Sequence, residues 1–322
     1  MGSTLLLNEA RQAFVHCSGP AGEHRMAYQE WGQPENPEVV VCVHGLTRVS
    51  DDFSELARAL RDRYRVVCPD VAGRGRSDWL KNPAFYGVAQ YAADMAALIV
   101  QLKVERVRWV GTSMGGLIGM SLAALQDAPI SRLVLNDVGA VLPAQALARI
   151  ARYVGRKPEF ESRREADLEL RAIFSGFGPH SEAQWRQLID TVLVEVPGTG
   201  KVRVHYDPAI AEPFRLAYGS DENNEATNDS ADGSAKHPAK HPAKHPTADV
   251  DLWPIYDAIR CPTLLLRGAL SDLFTSQVLD EMRTRGPRPE VAEFAGVGHA
   301  PTLMHADQIA VVDEFLSRPS WH

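Results

Sequence analysis

Cysteine is scarce in this chain. Its four cysteines in 322 residues, Cys17, Cys42, Cys68 and Cys261, are scattered rather than spaced as a framework. The last three fall in apolar, β-like runs, so all four read as small thiols of a reducing compartment and not as disulfide staples. A long hydrophobic run is also lacking. The apolar stretch nearest the start, Leu5 to Leu7, has Glu9 close by and is too short for a leader or a membrane span, so a cytoplasmic protein is expected. Basic charge is in deficit: 34 Lys and Arg stand against 41 Asp and Glu, a net charge of −7. With no basic stripe, nucleic acid and anionic membrane are excluded as expected partners. The clusters Arg61 to Arg65 and Arg163, Arg164 read as solvated helix faces.

Two further absences bear on cofactors. The turn Gly73, Arg74, Gly75, Arg76, Ser77, Asp78 superficially resembles a phosphate loop, but no lysine-serine pair follows it and no helix begins at its end. The three Lys-His-Pro units place His237, His241 and His245 four apart, yet a proline after each blocks the helix that would bring them to one metal. Neither a metal nor an organic cofactor is expected.

What is present centres on residues 107 to 124. A strand-like run, Val107 to Val110, turns through Gly111, Thr112, Ser113, Met114 and Gly115 into a helix-like stretch ending near Ala124. In such a Gly-x-Ser-x-Gly elbow the serine occupies the apex of a strained strand-to-helix turn, and side chains at the flanking glycines would crowd strand or helix. The helix points its N-terminus at the hydroxyl, so the N–H of Met114 faces charge developing on a bound carbonyl.

The surrounding chain alternates strand and helix. Arg25 to Gly32 reads as an early strand, Val39 to Val43 as a strand buried on both faces, Asp52 to Arg61 as a helix and Arg65 to Pro69 as a strand. Tyr91 to Leu102 is an amphipathic helix feeding the elbow strand, and Arg132 to Asn136 is another buried strand. This is the pattern of a doubly wound parallel sheet, whose catalytic loops gather at the carboxyl ends of the strands. From Val141 to about Pro254 the pattern changes to helices, Leu142 to Val154, Glu165 to Phe177 and Glu182 to Val194, with no convincing central strand. Residues 141–254 are therefore expected to form a helical cap inserted into a core domain of residues 1–140 and 255–322. Within the cap, residues 219–248 are low in complexity and are expected to be a flexible loop. The sheet pattern resumes at Ile259 to Arg267 and Glu290 to Phe294, and Asp307 to Leu316 closes the chain as a helix.

A serine hydroxyl needs an adjacent base, and the base needs an orienting carboxylate. Ser113, Asp272 and His299 supply these in the order serine, acid, histidine, each just beyond a β-like run. Asp137, which follows the strand after the elbow, is the alternative acid; Asp272, in a Gly-x-x-x-Asp turn, is preferred. Gly45, directly after a central strand, lets the chain bend so that the N–H of Leu46 joins that of Met114 as an oxyanion hole. His44, at the strand end rather than on a late loop, is expected to hold structure.

His-Gly-Leu at 44 to 46, Gly-Thr-Ser-Met-Gly-Gly at 111 to 116, Gly-Ala-Leu-Ser-Asp ending at 272 and Gly-Val-Gly-His-Ala-Pro at 296 to 301 together resemble the α/β-hydrolase superfamily, across nearly the whole chain. The resemblance implies an eight-stranded, mostly parallel sheet with helices on both faces and a helical cap after strand six. It also implies acyl hydrolysis without metal or cofactor. Serine at the elbow separates the chain from the dehalogenases and epoxide hydrolases, which carry aspartate there. A carboxylesterase acting on a small-molecule ester through an acyl-enzyme on Ser113 is the expected function, with a homodimer left open. The alternative is an enol-lactonase or a carbon–carbon bond hydrolase of aromatic degradation with the same triad; the latter needs a polar pocket for a carboxylate tail, for which Arg48 or a cap arginine is available. A noncatalytic ligand receptor would not need a complete triad, and stands behind both.

Overall fold

Val39–Val43 (β3) is a run of five buried residues, and the sheet grows outward from it. Val39, Val41 and Val43 pack into one apolar layer, Val40 and Cys42 into the other, because successive side chains of a strand point to opposite faces. The structure, a computed structural model, describes residues 9–213 and 248–318. Arg65–Pro69 (β4) and Val107–Thr112 (β5) flank β3, both parallel to it. Ile130–Asn136 (β6), Thr263–Gly268 (β7) and Glu290–Phe294 (β8) continue the parallel array beyond β5. On the other edge, His24–Trp31 (β2) runs antiparallel to β4, and Arg11–Cys17 (β1) antiparallel to β2. The order β1-β2-β4-β3-β5-β6-β7-β8 gives the eight strands expected. β1 has no counterpart in the sequence reading: it is an edge strand, largely exposed along its first half, and carries too few apolar residues to announce itself.

Helices cover both faces. Ser54–Leu60 (α1) and Ala306–Ser317 (α9) pack into the layer of Val40 through Leu56, Leu60, Val312 and Phe315. Val88–Leu102 (α2), Met114–Ala123 (α3) and Ser276–Thr284 (α8) fill the opposite layer. Among the described residues no helix is long and apolar enough to cross a membrane.

Between β6 and β7 lie Ala144–Ala151 (α4), Arg163–Ile173 (α5), Glu182–Asp190 (α6) and the single turn Trp253–Tyr256 (α7). Their starts are written in the sequence. Ser162 caps α5 by accepting the Glu165 N–H, and Ser181 and Gln184 form a reciprocal capping box on α6. The helices are each shorter than their apolar spacing suggested. The inserted segment also contains a three-stranded antiparallel sheet, Glu159–Phe160, Val202–Val204 and Leu193–Glu195, where only helices were expected. Pieces of two and three residues are shorter than the span over which alternation can be recognised. Val141–Leu142 pairs with Val250–Asp251 at the base of the insertion. The low-complexity run 219–248, with His237, His241 and His245, lies outside the described residues except for Ala248.

Candidate active site

Ser113 sits between β5 and α3 at φ 52°, ψ −112°, a left-handed conformation that non-glycine residues adopt only where their surroundings enforce it. The surroundings do so. A Cβ on Gly111 would collide with the carbonyl of Gly115, and one on Gly115 with the carbonyl of Val43, so strand and helix approach at contact distance only because both residues are glycine. The Ser113 N–H donates to the Asn136 carbonyl at 2.9 Å, tying the apex to β6.

The Ser113 hydroxyl lies 3.0 Å from His299 Nε2, and His299 Nδ1 lies 2.7 Å from Asp137 Oδ2. This network sets the tautomer: Nδ1–H donates to the carboxylate, and Nε2 accepts from the hydroxyl. Asp137 is fully buried at the end of β6. Its carboxylate also accepts the Gly268 N–H at 2.8 Å and the Ser271 hydroxyl at 2.6 Å. Three donors on one buried carboxylate satisfy its oxygens and fix its direction.

The acid preferred from the sequence is therefore displaced. Asp272 is exposed, and its two oxygens each accept at 2.8 Å from Nε and Nη2 of Arg149 on α4. The loop after β7 does reach the site, but through Ser271 and the Gly268 N–H, while the next side chain turns outward. Asp137, the alternative, occupies the place behind His299. Neither Ser271 nor its role was anticipated; the only signal available was its position one residue before the expected acid.

His44 is buried and holds the loop after β3. Its Nε2 accepts the Val71 N–H at 3.0 Å and its Nδ1 donates to the Gly45 carbonyl at 2.7 Å, while burial pushes its pKa down to about 4. A second unanticipated residue is Arg74, from the turn that resembled a phosphate loop. Fully buried, it donates through Nε to the Leu46 carbonyl at 2.9 Å and through Nη1 to the Tyr91 hydroxyl at 2.7 Å. The loop that carries Leu46 is thus held at two successive carbonyls, Gly45 by His44 and Leu46 by Arg74. Met114 is the first residue of α3, so its N–H has no intrahelical acceptor.

Two cavities meet at Ser113 and Leu46. One, of about 260 Å³, is lined by apolar and aromatic side chains, including Tyr86, Tyr91, Leu117, Val138 and Leu147, with no charged residue among the described ones. The other, of about 80 Å³, adjoins His299 and is lined also by Arg48, Asp52, Arg149, Phe174 and Phe177. The inserted segment supplies one wall of each, and is tied down by the Gly298 N–H on the Gly176 carbonyl at 2.6 Å and by His180 Nε2 2.8 Å from the Thr302 hydroxyl.

All four cysteines are free, three of them buried. Among the described residues one group has metal-ligand chemistry, Cys17, His24 and Asp94, with ligand atoms within 4.8 Å of one another. His24 Nε2 is 3.0 Å from Asp94 Oδ2, Gln90 donates to Oδ1 at 2.8 Å, and burial beside Asp94 pushes the thiol up to about 12.

A family profile for the α/β hydrolase fold matches residues 38–174. Over 309 residues the chain is 45% identical to a 3-hydroxybutyrate-oligomer hydrolase of Cupriavidus necator, covering 95% of this chain and 98% of that one. Among solved structures, an α/β hydrolase from Novosphingobium aromaticivorans shares 34% identity at a TM-score of 0.77, covering 97% of this chain and 99% of that one. A thermophilic esterase from Thermogutta terrifontis, 19% identical, is similar in fold alone, with a TM-score of 0.66 over 95% and 98% of the two chains.

Proposed function

The chain belongs to the α/β-hydrolase family, and from that premise we propose that it is a serine hydrolase of carboxylic esters, with short oligoesters of 3-hydroxybutyrate as its substrate class. The observation that carries the chemistry is the continuous chain of hydrogen bonds from the Ser113 hydroxyl through His299 to Asp137. Its Cupriavidus relative, a 3-hydroxybutyrate-oligomer hydrolase, supports the substrate class.

In this reading Ser113 Oγ attacks the ester carbonyl carbon while its proton passes to His299 Nε2. Asp137 stabilises the imidazolium through Nδ1. The carbonyl oxygen becomes an oxyanion, received by the N–H groups of Leu46 and Met114, each such donor being worth about 3–4 kcal/mol in the transition state. Collapse breaks the ester C–O bond, and the leaving oxygen takes the proton from Nε2. Water, activated by the same imidazole, then hydrolyses the acyl-enzyme. The described residues of 141–254 act as a cap over the site, and those of 1–140 and 255–322 form the core that holds it.

The test is Ser113→Ala assayed with p-nitrophenyl butyrate and with the 3-hydroxybutyrate dimer. Turnover of both should fall by about 10⁴-fold or more, and labelling by a fluorophosphonate probe should vanish. Ester turnover surviving in Ser113→Ala overturns the assignment. Turnover of a lactone or a vinylogous diketone, with neither ester cleaved, moves the chemistry to another branch of the family.

A further inference from the structure

The two cavities at Ser113 differ in charge. Among the described residues no charged side chain lines the larger one. The smaller one, beside His299, is lined by Arg48 and Arg149 against a single carboxylate, Asp52. Asp272 answers Arg149 from outside the lining, so each guanidinium has one carboxylate, and two fixed cationic donors line this wall in a protein of net charge −7.

Both guanidinium groups are held in place. Arg48 is 5% exposed and gives Nε and Nη2 to the two oxygens of Asp52 at 2.7 and 2.6 Å, with Nη2 also donating to the Leu188 carbonyl at 2.9 Å. Its face lies 4.8 Å from the ring of Phe174. Its remaining nitrogen, Nη1, is buried and has no hydrogen-bond acceptor among the described residues. An orphaned donor on a charged group is costly, and it leaves this edge of Arg48 as an unanswered positive pole behind the wall. Arg149 stands at the same cavity half-exposed, clamped through Nε and Nη2 by Asp272. The clamp fixes one edge of its guanidinium and leaves Nη1 for another ligand.

Reaction geometry decides which part of a substrate meets these groups. The leaving oxygen must take its proton from His299 Nε2, so the alcohol portion of the ester occupies the cavity that His299 lines. The acyl portion then occupies the apolar cavity. In an oligoester of a 3-hydroxy acid, the alcohol portion at the chain's acid end is one hydroxy acid, with a free carboxylate two carbons from the carbon that bears the ester oxygen. At roughly 10–15 Å³ per water-sized group, a cavity of about 80 Å³ admits about six such groups. That is close to one short hydroxy acid, and too small for a second.

Resting on the ester-hydrolase reading above, we infer that the His299-side cavity is a carboxylate subsite in which Arg149, backed by Arg48, binds the free acid end of the substrate, so that the enzyme removes one hydroxy acid at a time from that end. Arg149 makes the contact, and Arg48 adds positive charge from the wall behind it.

The test compares the 3-hydroxybutyrate dimer bearing a free carboxylate with the same dimer as its terminal methyl ester, following cleavage of the internal ester by chromatography. For the unaltered protein, kcat/KM for the acid should exceed that for the methyl ester by roughly tenfold or more, the scale of one charge-assisted hydrogen bond. In Arg149→Gln combined with Asp272→Asn, which leaves no unpaired carboxylate at the mouth, the ratio should fall toward one. Asp272→Asn alone, which frees a second edge of Arg149, should keep the ratio or raise it. A ratio near or below one in the unaltered protein overturns the subsite. A ratio that survives in the double variant, with a melting temperature showing it folded, overturns the role of Arg149. Under either outcome, hydrolysis of p-nitrophenyl butyrate, which has no carboxylate, by the unaltered protein leaves the ester-hydrolase reading standing; loss of that turnover in the unaltered protein is what brings both down.

Discussion

At the scale of single residues, the two aspartates near β7 show how burial assigns a role that sequence position leaves open. Asp137 and Asp272 both follow a strand and both lie before His299. Asp137 is buried, accepts from three donors and has no access to solvent that would dilute its field at His299 Nδ1. Asp272 is exposed and is answered by Arg149. Replacing Asp137 by Asn keeps the shape but removes the charge and disturbs the tautomer of His299, so kcat should fall by about 10³–10⁴-fold. Asp272→Asn breaks an exposed ion pair, worth about 0–1 kcal/mol, and should leave turnover of p-nitrophenyl butyrate within about threefold. Steady-state kinetics of the two variants side by side decide the matter, and equal losses would mean that the hydrogen bond to His299 does not identify the acid.

At the scale of elements, the elbow is held by backbone contact rather than by side chains, and this makes it vulnerable to one methyl group. Gly115→Ala would drive its Cβ into the Val43 carbonyl, so β3 and α3 must separate where they are most tightly packed. A loss of about 3 kcal/mol or more in the denaturant midpoint, or failure to accumulate folded protein, is expected. An unchanged midpoint would show that the two elements have slack that their geometry denies. The elbow and β3 could be read from sequence because a glycine spacing and a continuous β-branched run are local signals. What could not be read depends on contacts far apart in the chain. Ser271 reaching Asp137, Arg74 gripping the Leu46 carbonyl and Arg149 drawing Asp272 outward each join residues from different elements. The short cap strands failed for a different reason, since two or three residues carry no period.

For the whole molecule, the cost of folding a neutral histidine into an apolar interior makes stability depend on pH. His44 is buried, and its pKa falls from 6.5 to about 4; burial lowers His180 and His205 as well. The unfolded chain then binds more protons than the folded one between about pH 6.5 and pH 4, so the stability these groups contribute is whole at pH 7 and is lost as pH falls through that window. For His44 the loss amounts to about 2 kcal/mol between pH 7 and 5, or roughly 3 °C in melting temperature for a chain of this length. Asp94, raised by burial, works in the opposite sense, which is why the variant and not the absolute slope isolates His44. His44→Gln replaces the ring acceptor of the Val71 N–H by an amide oxygen on a more flexible stem and should melt lower at pH 7, yet its melting temperature should decline less between pH 7 and 5 than that of the unaltered protein. Parallel declines would mean that the imidazole titrates near its ordinary value and that the loop beneath Leu46 is open to water.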